Sequence, residues 1–330
     1  MSSFKRLGLI IVSFALVFSV SNARVFSQEQ PARGTGGSGL SISPTRFELS
    51  ILPGNDDTVQ ISVQNVTGST IEATPVINDF VSDNDTGQPR LLINEERDDL
   101  PSIKPFFNEL ESMRIEAGET ETKEIPVEIP ENTPAGGYYG VIRFLASPEG
   151  TAAPDDGQVA LTASLAPVVL ITVPGDITEQ VQFRNILYYR NDASGTFFTS
   201  KPEQVGLQIV NQGNGFVQPF GQVSVKDMFG EEVHSYELND TDPKGNIIPR
   251  STRVFRDDLP DIGTPGRYTT TANVSYGNGG EVLTLSKSFW YLPYWFLAIL
   301  AVGLGALVYG GFLVKRRVNT GSYKKPKTRK

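Results

Sequence analysis

The chain has 330 residues, of which 39% are hydrophobic, with 32 Gly and 22 Pro, a composition typical of a turn-rich globular protein long enough for about two domains. It contains no Cys and a single His, His234, which excludes a disulfide framework, a thiolate or histidine metal cluster and a cysteine nucleophile. The formal net charge is −8, and because all the acids lie between two basic ends, the acidic body disfavours nucleic acid as a partner.

The first 23 residues have the pattern of a secretory signal. Lys5 and Arg6 precede an apolar run at residues 7–20, and small side chains at Ser21 and Ala23 predict cleavage after Ala23. An uncleaved anchor helix is the alternative interpretation. Residues 24–39 follow as a Gly-rich spacer, which predicts a flexible connection to the first folded domain.

Residues 40–175 are predicted to form a first β-sandwich. Apolar and polar residues alternate, as at Val59, Ile61 and Val63, and turn-forming Pro-Gly and Thr-Gly pairs separate the runs. The expected strands are residues 40–51, 58–66, 69–81, 123–129, 138–146 and 159–173. Only residues 103–115 could form a helix, with Pro105 in its first turn.

Acidic segments are the candidate sites for metal binding or catalysis. Residues 83–87 read Asp-Asn-Asp-Thr-Gly, but a calcium loop would need a ligand where Gly87 stands and a Glu where Asn94 stands, so a solvated hairpin turn is favoured. Acid pairs such as Asp257 and Asp258 could serve a glycosidase only across an aromatic-lined sugar cleft, and the predicted domains contain no Trp. We therefore expect a non-enzymatic protein without a metal or other cofactor.

Residues 176–288 are predicted to form a second sandwich of the immunoglobulin (Ig) or fibronectin type. Its seven expected strands are residues 181–189, 205–210, 216–229, 232–238, 252–256, 268–276 and 282–289. The two halves share motifs in the same order. A strand ends in Asn65 in one half and in Asn211 in the other, and a Thr-Pro pair precedes Tyr138 and Tyr268. This order indicates an internal duplication.

Residues 289–314 are predicted to cross a lipid bilayer as a helix. Residues 288–314 carry no charge, and residues 295–314 would span about 30 Å as a helix, the thickness of a hydrocarbon core. Aromatic residues precede this run and the basic tail, residues 315–330, follows it. The positive-inside rule therefore places the tail in the cytoplasm and residues 24–288 outside the cell. No flexible linker separates the last strand from the aromatic residues, so the second sandwich is expected to stand directly on the membrane.

Small residues in this helix predict a packing surface for another helix. The pairs Ala301/Gly305 and Ala306/Gly310 have the four-residue spacing that lets two helices approach closely, although Gly and Ala are common in spanning helices in general. Association of this helix with another is therefore one hypothesis, and a single helix that only anchors the protein is the other.

Two segments of the first half carry a family resemblance. They are ISPTRFELSILPGNDDTVQISVQN at residues 42–65 and IPENTPAGGYYGVIRF at residues 129–144. Together they resemble the first Ig-like domain of the WxL-interacting proteins of Gram-positive bacteria, a family described as peptidoglycan-binding. The resemblance covers about residues 40–174 and implies an Ig-like fold, a location in the cell envelope and binding of cell-wall polymer. The second half is similar to a fibronectin-like or CARDB-like module only in general plan.

Tyr138 and Tyr139 are the candidate binding residues. Successive side chains of a strand point to opposite faces, so one ring can pack in the core while the other is exposed and able to stack on a sugar. A tyrosine corner or a core position is the alternative for either residue.

The sequence therefore predicts an all-β protein with two tandem Ig-like β-sandwiches and one C-terminal transmembrane helix. We expect a single-pass, non-enzymatic envelope protein that binds cell-wall polymer or another envelope protein and contacts the lipid bilayer through residues 289–314. The alternative is a structural or assembly subunit that uses an open edge strand or an apolar patch. An enzyme is the third possibility, and it lacks a recognisable catalytic cleft.

Overall fold

The computed structural model describes residues 39–93, 95, 97, 99–149, 163–260, 262–277 and 282–321. The predicted signal peptide, its cleavage point after Ala23, nearly all of the predicted spacer and residues 322–330 of the basic tail lie outside the described residues.

The first sandwich consists of two sheets that enclose an aliphatic core. Its strands are β1 (Leu40–Ser43), β2 (Arg46–Ser50), β3 (Asp56–Asn65), β4 (Ile71–Ser82), β5 (Pro89–Leu92), β6 (Met113–Ile115), β7 (Thr120–Glu128), β8 (Gly136–Pro148), β9 (Ala163–Leu165) and β10 (Val168–Val173). One sheet has the order β1-β3-β7, and the other has the order β2-β10-β8-β4-β5, with β6 beside β4 and β9 beside β8. The alternating residues Val59, Ile61 and Val63 of β3 are buried between the sheets, as their spacing predicts.

The second sandwich repeats this plan. Its strands are β11 (Val181–Arg190), β12 (Ala193–Gly195), β13 (Phe197–Phe198), β14 (Gln204–Asn211), β15 (Phe220–Lys226), β16 (Glu232–Leu238), β17 (Thr252–Asp258), β18 (Gly266–Ser275) and β19 (Val282–Tyr291). They form sheets of order β12-β11-β14-β17 and β13-β19-β18-β15-β16. The core of this sandwich is more aromatic than that of the first, with Tyr188, Tyr268 and Phe289 fully buried.

The two sandwiches have equivalent strand orders. β1-β3-β7 corresponds to β11-β14-β17, and β2-β10-β8-β4 corresponds to β13-β19-β18-β15. In both, one short strand pairs in parallel with the last strand, β2 with β10 and β13 with β19, while the other pairings are antiparallel. The predicted fold class of two tandem Ig-like sandwiches is confirmed, and the common topology supports the predicted duplication.

The buried asparagines Asn65 and Asn211 hold the equivalent turns of the two sandwiches. Each side-chain amide donates to the carbonyl four residues later, at 2.8 and 2.7 Å, and each side-chain oxygen accepts the backbone N–H two residues later at 2.9 Å. Each amide also crosses to a neighbouring segment, Asn65 to the carbonyl of Ile115 and Asn211 to that of Ile247. Both side chains are fully buried. The motif recognised in the sequence is therefore a turn-stabilising element of each sandwich.

Several predicted elements differ in the structure. The strand expected at residues 159–173 is divided, within its described part, into β9 and β10, and the strand expected at residues 216–229 is the shorter β15, which ends at Lys226. The single strand expected at residues 40–51 is divided into β1 and β2, which belong to different sheets, because Pro44 lacks the N–H needed to continue the first ladder. The possible helix at residues 103–115 is wrong: only a 3-10 turn forms, at Lys104–Phe106, and the segment then extends into β6. Sheet pairing of residues 113–115 with β4 determined the outcome.

The C-terminal helix α1 (Tyr294–Gly321) follows β19 after only two residues. The predicted membrane segment, residues 289–314, therefore begins within the strand, and the helix itself begins later. The carbonyl of Pro293 accepts the N–H groups of Phe296 at 2.9 Å and Leu297 at 3.1 Å, which starts the helix. Within the described residues, Tyr294–Arg317 is the one stretch long and apolar enough to cross a membrane, and none of its most apolar window is buried in the protein.

Candidate functional site

Both candidate sugar-stacking tyrosines take part in packing. Tyr139 is 4% exposed, its ring centroid lies 4.9 Å from that of Phe80, and burial raises its pKa to about 12. Tyr138 is partly buried, packs edge-on against Phe106 at 4.9 Å and donates its hydroxyl to the carbonyl of Pro134 at 2.9 Å. Its geometry is that of a tyrosine corner. Neither ring offers a fully open face to a sugar.

Tyr268 forms the equivalent corner in the second sandwich. Its hydroxyl donates to the carbonyl of Thr264, also four residues earlier, at 2.5 Å. Its ring stacks on that of Phe289 with centroids 5.4 Å apart. The shared Thr-Pro-to-Tyr motif of the two halves is therefore structural in both.

An apolar junction joins the two sandwiches. Phe80, Tyr139 and Leu170 of the first sandwich form a buried cluster with Ile248 of the second, and Phe216 packs against it. The backbone also crosses this junction, since the N–H of Gly137 donates to the carbonyl of Asn214 at 2.7 Å. A Cβ on Gly137 would lie 2.9 Å from the Phe216 ring, so this contact requires glycine.

The β4–β5 turn (residues 83–87) is part of the same junction. The Asp83 carboxylate accepts the N–H groups of Asp85 at 3.0 Å and Gly87 at 2.8 Å, together with the Thr86 hydroxyl. Burial opposes ionisation of Asp83, but these hydrogen bonds outweigh it and lower its pKa. The carboxylate that a calcium loop would direct at an ion is thus occupied by the turn itself. Among the described residues, no group of three or more His, Cys, Asp or Glu could hold a metal.

Asp85 connects this turn to β17 of the second sandwich. Its carbonyl accepts the N–H of Val254 at 2.6 Å, and its carboxylate lies 2.7 Å from the guanidinium of Arg256. Residues 83–87 form the predicted hairpin turn, and 48% of the Asp85 side chain is exposed, but its contact with the second sandwich was not predicted. The turn covers part of the edge strand β17. Asp side chains often accept backbone N–H groups a few residues later, and the Asp residues at 83 and 85 were the sequence signal for a turn held in this way.

A cleft of about 440 Å³ lies beside the junction. Its walls include Leu49 and Glu48 of β2 and Phe220 and Lys244 of the second sandwich. The Lys244 ammonium lies 5.5 Å from the centre of the Phe220 ring, and the Glu48 carboxylate accepts the side-chain amide of Asn246 at 3.0 Å. Glu48 and Lys244 thus already contact protein groups, and the cleft by itself identifies no ligand.

The open edge of β19 (residues 282–289) has the strongest features of an interaction site. β18 pairs with β19 along its whole length, but on the other side β13 pairs only with Trp290 and Tyr291. No other strand among the described residues pairs with residues 282–289. Because the N–H of Trp290 donates to the carbonyl of Thr196 on that side, the alternate N–H groups of Ser288, Ser286, Thr284 and Val282 also point away from β18.

The side chains of this edge are uncharged on the outer face. Val282, Thr284, Ser286 and Ser288 point outward, with Thr284 donating to the Asn273 side chain at 2.8 Å. Lys287 points inward, where its ammonium donates to the side chain of Asn185 and the carbonyl of Ile186 at 2.8 and 2.7 Å. Burial lowers the pKa of Lys287. The edge therefore carries no outward charge, and the inward-pointing Lys287 is the one feature of it that discourages strand addition.

Several other strand edges are protected. β7 presents Glu121, Lys123, Glu124 and Pro126. β11 contains a bulge between Phe183 and Asn185. β17 is contacted by Asp85, and β1 and β5 have four residues each. Charge, proline, bulges and short length all discourage strand addition, and β19 differs from these edges in its length of ten residues and in its uncharged outer face.

The predicted helix-packing residues Ala301, Gly305, Ala306 and Gly310 all lie on α1. The first three are exposed and Gly310 is nearly so, and a Cβ on Gly305 or Gly310 would meet no atom within 4 Å. This surface is sterically open to a second helix, and association stays a prediction.

We expect the double substitution Gly305→Leu with Gly310→Leu to abolish association of α1 while leaving its insertion intact, because bulky side chains would hold a neighbouring helix away. A membrane two-hybrid assay measures the association. Gly311→Leu is the matched control, because it adds the same side chain on a different face of the helix, about 100° away from Gly310, and it should change nothing. Unchanged association in the double variant would mean that the glycines are merely tolerated.

Comparison with known proteins shows distant likeness in structure only. No family model matches the chain, and no curated protein matches it. Among solved structures, the class 5 fimbriae chaperone CfaA aligns with a TM-score of 0.37 and 12% identity over 76% of this chain and 98% of that chain. A chain of the complex of the Salmonella enterica SafA pilin with the SafB chaperone aligns with a TM-score of 0.34 and 11% identity, over 74% of this chain and 95% of that chain. The E. coli chaperone DraB aligns with a TM-score of 0.33 and 14% identity, over 76% of this chain and 96% of that chain.

TM-scores this low transfer no function to the present chain, whose fold is evident from its own strand pairing. The resemblance of residues 40–174 to the WxL-interacting proteins stays a prediction.

Proposed function

We propose that this protein is a membrane-anchored, non-enzymatic binding module of the cell envelope that takes up a strand of a neighbouring envelope protein along the open edge of β19. The observation that carries the proposal is this edge: among the residues that the structure describes, no strand pairs with the outer side of residues 282–289, and their outward side chains carry no charge. An exposed edge of this kind binds an extended segment by continuing the sheet, with main-chain hydrogen bonds supplying most of the affinity.

Partly buried leucines add an apolar component. Leu283 and Leu285 face the core of the second sandwich but remain partly exposed beside the open edge. A strand added there would cover them, and burial of apolar surface contributes roughly 25 cal/mol per Å². The edge would therefore favour a partner segment with an apolar residue at alternate positions.

Membrane anchoring places this edge close to the bilayer. In the proposed topology, α1 crosses the membrane, residues 24–288 lie outside the cell and the basic tail lies in the cytoplasm. Only Leu292 and Pro293 separate β19 from α1. Residues 282–289 would then extend over about 25 Å from the membrane surface outward, which suits a partner that is itself anchored or assembled at the membrane.

We expect Ser286→Pro to abolish binding of the partner strand while preserving the fold. The N–H of residue 286 points away from β18, so proline removes no hydrogen bond between β18 and β19. The added strand would lose its hydrogen bond to this N–H and would clash with the proline ring. The measurement is photo-crosslinking of the full-length protein in its native membranes, with a benzoylphenylalanine at position 284, followed by identification of the adduct.

Glu124→Pro is the matched control. It lies on the edge strand β7, two residues from Pro126 and with the same orientation of its N–H, and should leave the adduct unchanged. Loss of the adduct in both variants would indicate general disruption and contradict the proposal. Retention of the adduct in Ser286→Pro would also contradict the proposal. So would a result in which no protein adduct forms and both variants sediment specifically with wall sacculi.

A further inference from the structure

We propose that the β15–β16 turn (residues 227–231) inserts Met228 and Phe229 into the lipid headgroup region, as a second membrane contact of the protein beside α1. The proposal rests on the proposed membrane anchoring but not on the open edge of β19. Phe229 is 84% exposed and Met228 is 51% exposed, which makes this pair a prominent apolar feature of the surface outside α1.

The register of the sheet puts this turn at the end of the second sandwich from which α1 leaves. Lys226, the last residue of β15, pairs with Thr269, and β18 begins three residues earlier at Gly266, which pairs with Tyr291. Continuing the β15–β18 register past Lys226 brings Phe229 level with Gly266 and therefore with Tyr291. A direct contact agrees with this, since a Cβ on Gly266 would lie 3.0 Å from the terminal methyl of Met228.

The distances from the β15–β16 turn to the end of β19 and to the start of α1 are short. β15 and β19 are separated by one strand, β18, so Phe229 lies about 10 Å sideways from Tyr291. Tyr294, the first residue of α1, is three residues from Tyr291, which allows at most about 10 Å along the chain. The turn is thus at the level where the spanning helix meets the headgroups.

Further apolar residues lie in the same row. On the other side of β19, Phe197 of β13 pairs with Trp290, and both side chains are exposed, at 56% and 45%. Phe197, Trp290 and Phe229 therefore occur at one end of a single sheet, next to Tyr294 and Trp295. Large aromatic side chains are favoured at a membrane interface, whereas exposing a cluster of them to water is unfavourable.

The turn is held in the conformation that presents Phe229. The Asp227 carboxylate accepts the N–H groups of Phe229 and Glu231, both at 2.9 Å, and the N–H of Gly230 donates to the carbonyl of Asp227 at 3.2 Å. Gly230 has a φ of +90°, a conformation that disfavours other residues. Because the Asp227 charge is engaged by these N–H groups, Met228 and Phe229 form an apolar tip. The exposed acids Glu231 and Glu232 follow this tip, and the exposed bases Lys226 and Arg267 lie on the other side of it, where they are suited to lipid phosphates.

Site-specific fluorescence tests the proposal, because the chain has no cysteine and a single introduced thiol can be labelled. Phe229→Cys carries an environment-sensitive nitrobenzoxadiazole label in the full-length protein. The protein is reconstituted in phosphatidylcholine nanodiscs without nitroxide lipids, with headgroup-proximal nitroxide lipids, or with lipids that carry the nitroxide deep in the acyl chain. The matched control is Val282→Cys, a 65% exposed apolar position at the opposite end of β19, about 30 Å away. A third label at Val308→Cys reports insertion of α1.

We expect the label at position 229 to show blue-shifted emission and to lose about half its intensity to the nitroxide lipids, while the label at 282 behaves as in water. If the label at 308 is quenched by deep nitroxides but the label at 229 matches that at 282, the proposal is overturned and the anchoring stands. If the label at 308 is also unquenched, the anchoring fails as well. A blue shift at 229 without lipid quenching would assign the turn to a protein contact instead and would overturn lipid insertion.

Discussion

Replacing Asn211 with Ala is expected to lower the free energy of unfolding of the second sandwich by roughly 3 kcal/mol. The side-chain amide donates to two buried carbonyls, those of Gly215 and Ile247, and the side-chain oxygen accepts the N–H of Gly213. Alanine would leave the N–H of Gly213 and the carbonyl of Gly215 without a partner in a site that is fully buried. The carbonyl of Ile247 would keep only the N–H of Val217, and each of the three lost hydrogen bonds costs on the order of 1 kcal/mol.

Chemical denaturation of the full-length protein in detergent, followed by fluorescence and circular dichroism, measures this effect. Asn273→Ala is the matched control, since Asn273 is exposed on β18 and accepts one hydrogen bond, from Thr284. It should change the stability by less than about 1 kcal/mol. Asn65→Ala should destabilise the first sandwich in the same way as Asn211→Ala destabilises the second. A small effect at both asparagines would mean that water replaces the side chains and that the turns do not depend on them.

Replacing Arg256 with Ala is expected to release the β4–β5 turn from the second sandwich. The guanidinium lies 2.7 Å from the Asp85 carboxylate and 4.1 Å from the centre of the Tyr189 ring, and it also approaches Asp192 at 3.4 Å. Its removal takes away the ionic contact that complements the hydrogen bond from the N–H of Val254 to Asp85. The loss should make local opening at this contact about tenfold more frequent, which corresponds to about 1.4 kcal/mol.

Hydrogen–deuterium exchange of the peptides that contain residues 83–87 and Val254 measures this opening. Arg184→Ala provides the control, because Arg184 is an exposed arginine on β11 of the same sheet. Exchange in the cores of both sandwiches should stay unchanged in either variant. Equal protection of the Val254 amide in Arg256→Ala and in the unsubstituted protein would show that the apolar junction alone holds the turn in place.

Local patterns were sufficient to predict the two sandwiches. The alternation in β3, the Asn-containing turns and the Thr-Pro segments before Tyr138 and Tyr268 are short-range features, and each maps onto an equivalent structural role in the two halves. They could be recognised because a half-buried strand and a side-chain-stabilised turn both require specific residue types within a few positions. The same argument applies to the long apolar stretch of α1.

Local patterns failed where a partner distant in sequence determines the outcome. Asp85 looked like a turn residue in solvent, and only the approach of β17 gives its carboxylate and carbonyl partners in the second sandwich. Residues 103–115 could have formed a helix, but pairing with β4 made part of this segment a strand. Tyr139 could have been exposed, but the second sandwich supplies Ile248 to the cluster that buries it.

The sequence by itself determined the all-β class, the repeated turn motifs and the apolar C-terminal helix, because these depend on residue type and spacing over one strand, one turn or one helix. Only the tertiary structure decided which edge stays open, which turn joins the sandwiches and that Met228 and Phe229 lie beside the start of α1. These features depend on strand order and register, which bring together residues more than 60 positions apart, such as Phe229 and Tyr291. The physical reason is that a strand's own residues set its pattern of burial, whereas its neighbours determine which of its hydrogen-bonding groups and side chains remain free.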